Sequence, residues 1–200
     1  MKKLFVLLTA VLFLFSIAAS AETMTAETVL FTSEKANYSM MIPADFIPAG
    51  NAYVEIIKNK VAEGKLPGVD DQRIAQIQNI AANADLSQFD FILNGTLNGN
   101  INIQAQYYGI PGSLLPLYKD QLDEVNIEAY ADIGVSRKNI TTYDMEEIGH
   151  YNWYRLSCSL LGVDVDQYIT VDESGMGYIL TFTGIDEADM ELMLSTFQYE

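Results

Sequence analysis

Asn152-Trp153-Tyr154-Arg155-Leu156-Ser157-Cys158-Ser159-Leu160 is the stretch on which the fold reading turns. Asn152, Tyr154, Leu156, Cys158 and Leu160 alternate with the residues between them, so they share one face of an extended strand. Two more strand-like runs follow, at 167–171 and 178–183. The breaks between them, Leu161-Gly162-Val163-Asp164 and Asp172-Glu173-Ser174-Gly175, are turn-like in composition. Three strands joined by such short breaks form an antiparallel meander. A helix at 187–197 then closes the chain. Asp186 stands at its N-cap with Asp189 three residues later, and Ile185 and Met190 hold the positions of a hydrophobic staple. Asp186, Glu187 and Asp189 favour the positive end of the helix dipole, so this acidic cluster has a structural explanation. Met190, Met193, Leu194 and Phe197 are its expected buried face.

Towards the N-terminus, a strand is expected over 140–148. Before it, a helix runs from Ser113 to about Ile133, with Pro116 in its first turn and Gly134 as its stop. Leu115, Tyr118, Leu122, Val125 and Ala129 recur at steps of three and four and mark its inward stripe. Residues 89–93 and 101–107 read as strands around a loop rich in Asn and Gly. In the second of them, Ile101, Ile103, Ala105 and Tyr107 alternate with Asn102, Gln104, Gln106 and Tyr108, which predicts one apolar and one polar face. Two helices are expected within 50–86, and strands at 29–31 and 38–42, with an irregular corner at 43–48. The order β-β-α-α-β-β-α-β-β-β-β-α is an α+β pattern. It predicts one central antiparallel sheet of about six or seven strands flanked by helices.

The chain begins with Met1-Lys2-Lys3, a 16-residue apolar run at 4–19, and Ala19-Ser20-Ala21. A basic start, an apolar run too short to span a bilayer and small residues at the cleavage positions predict a signal peptide at 1–21. Residues 22–200 then form a single α+β domain, secreted or extracytoplasmic, with no transmembrane anchor. Loss of Lys2 and Lys3 leaves 9 basic against 27 acidic residues, a net charge of −18. Such a surface repels phosphate backbones, so nucleic acid is not an expected partner; the acidity reads first as solubility in an extracytoplasmic space, and a cationic partner or bound cations are the sharper alternative. The single cysteine, Cys158, allows no intrachain disulfide and reads as a buried structural thiol. The single histidine, His150, is not placed beside it by anything in the sequence.

The run Tyr38-Ser39-Met40-Met41-Ile42-Pro43-Ala44-Asp45-Phe46 is followed in the middle of the chain by Asn100-Ile101-Asn102-Ile103. Then come Gln167-Tyr168-Ile169-Thr170-Val171, Gly177-Tyr178-Ile179-Leu180-Thr181-Phe182-Thr183 and a helix closing on Leu194-Ser195-Thr196-Phe197. In that order, over about residues 26–200, the chain resembles the PsbP-like superfamily, which is named for an extrinsic photosystem subunit and includes Ran-binding Mog-type proteins. The resemblance implies an α-β-α sandwich around an antiparallel sheet. It implies no shared catalytic residue, and members of this fold act mainly by binding proteins or ions.

Catalytic motifs are sparse. The sequence has no Gly-x-Ser-x-Gly elbow, Gly-rich phosphate loop, Cys-x-x-Cys pair or His-x-x-x-His pair, so no cofactor is expected. One His and one Cys make zinc a poor fit. The twelve tyrosines and Trp153 read as core and sheet residues rather than a sugar platform. Asp164, Asp166, Asp172 and Glu173 offer oxygens to Ca²⁺ but lack EF-hand spacing, so only weak divalent-cation binding is expected of them. The candidate ligand-binding residues are Tyr107, Tyr108 and Ser113. They lie in a Gly- and Pro-containing loop with an aromatic on the polar strand face and free N–H groups at a helix start. The functional expectation is a non-catalytic binding or accessory domain whose partner is a protein or cell-surface component. The alternatives are a carboxylate-based hydrolase and a weak divalent-cation-binding protein.

Overall fold

The structure is a computed structural model and describes residues 27–49, 89–95, 99–160 and 163–199. The expected signal peptide and the helices expected within 50–86 lie outside the described residues. The rest is α+β, with a large antiparallel sheet and two α-helices. The main sheet has eight strands rather than six or seven. In spatial order they are β3 (Ile47–Ala49), β4 (Phe89–Leu93), β5 (Asn100–Tyr107), β10 (Met176–Thr183), β9 (Val163–Val171), β8 (Tyr151–Leu160) and β6 (Ile140–Thr142), with β7 (Glu146–Ile148) also pairing with β8.

The expectation of a single sheet is corrected. β1 (Thr28–Thr32), β2 (Tyr38–Pro43) and the two-residue β11 (Gln198–Tyr199) form a second, three-stranded sheet. The corner read as irregular also holds a strand. Pro48 sits in β3, at the edge of the main sheet opposite Ile92, where the donor that proline lacks is not needed on the open side. The run at 140–148 is two strands. Thr142 pairs with Leu156 but Glu146 with Trp153, so one extra residue separates β6 from β7. An offset of one residue exchanges the two faces of a strand, which is why the run could not continue as one ladder.

The helix expected from Ser113 starts as a 3-10 segment, Gly112–Tyr118, and becomes α1 only at Lys119–Asp132. Pro116 lies inside the tighter segment. A 3-10 segment turns about 20° more per residue than an α-helix, so the inward stripe drifts by roughly a third of a turn over its length. As a result Val125, on the expected stripe, is exposed, and Asn126, Ala129 and Tyr130 face inward. Gly134 ends α1 as expected, with φ of 94°. The closing helix α2 (Glu187–Thr196) has Asp186 at its N-cap, but the Asp186 side chain makes no capping bond. Its main-chain carbonyl accepts from Asp189 and Met190 N–H instead.

Each face of the main sheet has its own core. On one, Trp153, Tyr168, Leu180 and Phe182 pack with Met190, Met193, Leu194 and Phe197, and with Tyr38, Met40 and Ile42 of the small sheet. On the other, Tyr154, Leu156, Cys158, Val165, Ile169 and Ile179 pack with Ala129 and Tyr130 of α1. Burying each large apolar side chain contributes about 1.5–3 kcal/mol. The β1–β2 hairpin is fastened to β4 through Asp90. Ser33 Oγ and Tyr38 OH both donate to Asp90 Oδ2 at 2.6 Å, while Lys35 donates to the Phe89 carbonyl. The solvent face expected for Asn102 and Gln104 does not exist; they are 0% and 1% exposed. β5 lies inside the sheet, between β4 and β10, and is covered on both sides.

Candidate functional site

The β9–β10 turn is built by one carboxylate. Asp172 Oδ1 accepts from Ser174 N at 2.8 Å, Ser174 Oγ at 2.7 Å and Met176 N at 2.9 Å. Short side chains of this kind mimic a backbone turn. The connection after β5 lies against the turn. Tyr108 N and Gly109 N donate to the Gly175 carbonyl, and Gly112 N donates to the Asp172 carbonyl at 2.9 Å. A Cβ on Gly112 would stand 1.9 Å from the Val171 carbonyl oxygen, so only glycine allows this approach. Glu173 completes the clamp. Its Oε1 accepts from Ser113 N–H at 2.9 Å and its Oε2 from Ser113 Oγ at 3.1 Å. Two loops distant in sequence are thereby held together at one end of the sheet.

The sequence-derived candidates separate here. Tyr107 is 71% exposed. Tyr108, expected on an open polar face, is instead half-buried against the α1-side core, and a Cβ on Gly177 would meet its ring at 2.2 Å. Burial pushes its hydroxyl up to about 12. The reason is that this face of β5 leads into the α1-side core rather than to solvent. Ser113 is not a helix cap, and its N–H, expected to be open to an anionic ligand group, is taken by the chain's own Glu173.

Leu114 and Leu117 were not singled out from the sequence, yet Leu117 is 78% exposed and Leu114 is exposed beside it. Three apart in a 3-10 segment, they eclipse one another and present one apolar face, while Leu115 between them is buried. The spacing Leu114-Leu115-Pro116-Leu117 carried that signal, but it was absorbed into a continuous α-helical stripe. A tyrosine stack stands near the same turn: Tyr199 lies 4.4 Å from Tyr151 and 5.4 Å from Tyr178 between ring centroids. The Tyr199 hydroxyl is pushed up to about 12 by burial first, then by Tyr151 and by the negative field of Asp172 and Glu173. This end of the molecule is therefore aromatic, apolar and acidic together.

The structure does not gather Asp164, Asp166, Asp172 and Glu173 into one shell. The strand β9 holds the first two near its start and delivers the last two beyond its far end, so the six extended steps from Asp166 to Asp172 set them roughly 20 Å apart. Asp166 is held by Arg155, with Nη2 at 2.9 Å and Nε at 3.1 Å, and also by the Ser157 hydroxyl. Asp172 and Glu173 are engaged as described. Among the described residues no group of three or more Asp, Glu, His or Cys is placed to hold a metal ion. Cys158 is buried, and that burial, with Asp166 and Asp164 adding to it, pushes its thiol up to about 12. His150 is exposed and stands edge-on to Tyr151. Eight residues of extended strand put it roughly 25 Å from Cys158, so the two cannot act as a nucleophile and base. Trp153, with no solvent exposure, belongs to the core.

No family model matches this chain, and no curated protein matches it. Solved structures do. The chain is similar to cyanobacterial PsbP. The solution structure of that protein, CyanoP from Synechocystis sp. PCC 6803, aligns over 92% of this chain and 99% of its own, at 12% identity and a TM-score of 0.49. A crystal structure from Bacteroides thetaiotaomicron VPI-5482 aligns over 88% of this chain at 13% identity and a TM-score of 0.45. The chain spans about half of that second protein, 49% of its length. Among the described residues no helix is long and apolar enough to cross a membrane.

Proposed function

We propose that this protein is an exported, non-catalytic binding domain, an α-β-α sandwich after removal of residues 1–21. In this reading it docks a basic segment of a partner protein at the end of the sheet formed by Tyr107, Leu114, Leu117 and Glu173. The observation that carries the reading is the outward apolar face of Leu114 and Leu117, held on a clamped scaffold rather than on a loose loop. Exposed apolar patches mark interaction sites, and tyrosine, here Tyr107, is enriched among the residues that carry binding energy. The acidic surroundings and the net charge of −16 for the whole chain favour a partner of opposite charge. The carboxylates nearest this surface are occupied in holding the turn and the loop, which supports binding over acid–base chemistry.

The test is a double variant, Tyr107→Ala with Leu117→Ser. Both side chains are exposed, so the variant is expected to keep its thermal stability within about 1 kcal/mol. Capture of the partner recovered from the host's extracytoplasmic fraction is expected to fall at least about tenfold, and to weaken further with salt. Undiminished capture by the folded variant overturns the reading.

A further inference from the structure

The small sheet has an open edge that the binding surface above does not use. β1 lies at the end of this sheet and, among the described residues, pairs with β2 alone. Two bonds at the ends of the ladder fix which of its backbone groups face outward. Ala44 N donates to the Glu27 carbonyl at 2.7 Å, and Ser33 N donates to the Tyr38 carbonyl at 3.0 Å. In an antiparallel ladder, residues alternate between bonding to the neighbouring strand and pointing away from it. Glu27 and Ser33 bond to the β2 side, so Val29 and Phe31 do too. Thr28, Leu30 and Thr32 therefore turn their N–H and C=O groups to the open side. β2 keeps the same phase: Met41, opposite Leu30, sends its N–H away from β1 to Thr196 Oγ1 at 3.0 Å. Thr28, Leu30 and Thr32 are all exposed, Leu30 to 65%.

Open edges invite further pairing, and proteins blunt them with short strands, proline or charge. The main sheet does so. At one edge β3 has three residues and carries Pro48. At the other, β6 has three residues, and β7 has three with Glu146 and Glu147 among them. β1 uses none of these devices. Its five residues, Thr28-Val29-Leu30-Phe31-Thr32, include no proline and no charge, in a chain with 27 acidic residues. Such a strand gives a basic segment no counter-charge along its length. It does match itself. Antiparallel pairing centred on Leu30 sets Thr28 opposite Thr32 of the second copy, so outward N–H groups meet outward C=O groups along the whole strand. Val29, 43% exposed, then lies opposite Phe31 of the second copy on the face towards the core. On the other face Leu30 meets Leu30 of the second copy. Thr–Thr pairs and pairs of a β-branched residue with an aromatic one are favourable across strands.

We propose that β1 is the contact through which two copies of this chain associate, edge to edge about a two-fold axis at Leu30. The small sheets then join into one continuous sheet of three strands from each copy. The contact is isologous, so it uses up both open edges and stops at two copies. Its centre is uncharged while the bodies around it are acidic. Salt screens their repulsion, so association strengthens as salt rises, opposite to the docking of a basic partner. The contact involves none of Tyr107, Leu114, Leu117 or Glu173 and stands independently of that surface.

The test is sedimentation of the full chain as exported by its host, from about 1 μM to about 1 mM, where wild type is expected to pass from monomer to dimer. Leu30→Lys sets like charges opposite each other at the axis. Leu30→Pro removes an outward N–H and leaves the bonds to β2 in place. Each is expected to weaken the dimer at least about tenfold. Both change an exposed position, and an unaltered melting curve of the monomer checks that they fold. Leu30→Glu is expected to be monomeric as well, and mixing it with Leu30→Lys is expected to restore a mixed dimer, as a contact of Leu30 with itself requires. Leu117→Ser is expected to dimerise as wild type does, whatever becomes of partner capture. Wild type that stays monomeric at about 1 mM overturns the proposal, whether the edge is then taken by a foreign strand or left to water. A dimer that Leu30→Lys and Leu30→Pro leave intact overturns it equally.

Discussion

On the face of the main sheet that meets α2, rings touch rings. Trp153 stands edge-on to Phe197 at 5.4 Å and to Tyr168 at 6.3 Å, Tyr168 meets Phe182 at 5.8 Å, and Phe197 stacks on Tyr38 at 5.4 Å. The polar tips of these rings are provided for: Trp153 Nε1 donates to the Ile148 carbonyl and Tyr38 OH to Asp90. On the face that meets α1 the contacts are mostly aliphatic, and the polar groups are left over. Among the described residues, the Tyr130 hydroxyl and the carboxamide oxygens of Gln104 and Gln167 are buried with no hydrogen-bond partner. Burial pushes the Tyr130 hydroxyl well up. Edge-to-face aromatic pairs contribute about 0.5–1.5 kcal/mol beyond their buried area, whereas unmet polar groups subtract. One sheet therefore carries an aromatic face whose Trp153 and Tyr38 tips are paired and a mostly aliphatic face with buried polar groups among it.

The largest expected effect tests that asymmetry. Trp153→Ala should cost about 3–5 kcal/mol in denaturant unfolding, because it opens a cavity at the centre of the ring cluster. Leu156→Ala on the opposite face should cost about 2–5 kcal/mol and fall below the tryptophan variant. If the leucine variant proves the more damaging, the aromatic face is not the stronger one. Tyr38→Phe comes next. It removes one of the donors to the Asp90 carboxylate while keeping the ring, and should cost about 1.5–3 kcal/mol. A loss too small to measure would mean that packing alone fastens the hairpin to β4.

The smallest effect lies at the start of α2. The Asp189 carboxyl is held above its ordinary range by burial first, then by Asp186 and Asp45. A folded-state value above the unfolded one means that the folded protein binds this proton more tightly. Its stabilising contribution is present below the unfolded value and is lost as pH rises through the folded one. Asp189→Asn keeps the uncharged form at every pH. It should therefore raise the melting temperature slightly at pH 7 and lose that advantage at about pH 3, where the aspartate is itself protonated. A gain that persists in acid would point to a cause other than the charge.

Most of the strand and helix inventory was written in local periodicity and punctuation. The alternation around Cys158 sets β8, and the Asp172–Gly175 break sets the β9–β10 turn. Gly134 marks the end of α1 and Asp186 the start of α2. These features depend on the residue itself and its near neighbours, so the sequence determined them alone. The net charge and the absence of a His–Cys pairing signal belong with them.

Four other features were decided by tertiary structure. That neither face of β5 meets water along residues 100–104 depended on its central place in the folded sheet, which no alternation encodes. Tyr108 was half-buried and Tyr107 exposed because a residue just past the strand turned towards the α1-side core. Ser113 found its partner in Glu173, 60 residues away, and Asp166 found Arg155 rather than an ion. A polar side chain's fate is set by what stands across from it in space. Partners distant along the chain meet only when the sheet assembles, so the clamped apolar face became visible only in the folded molecule.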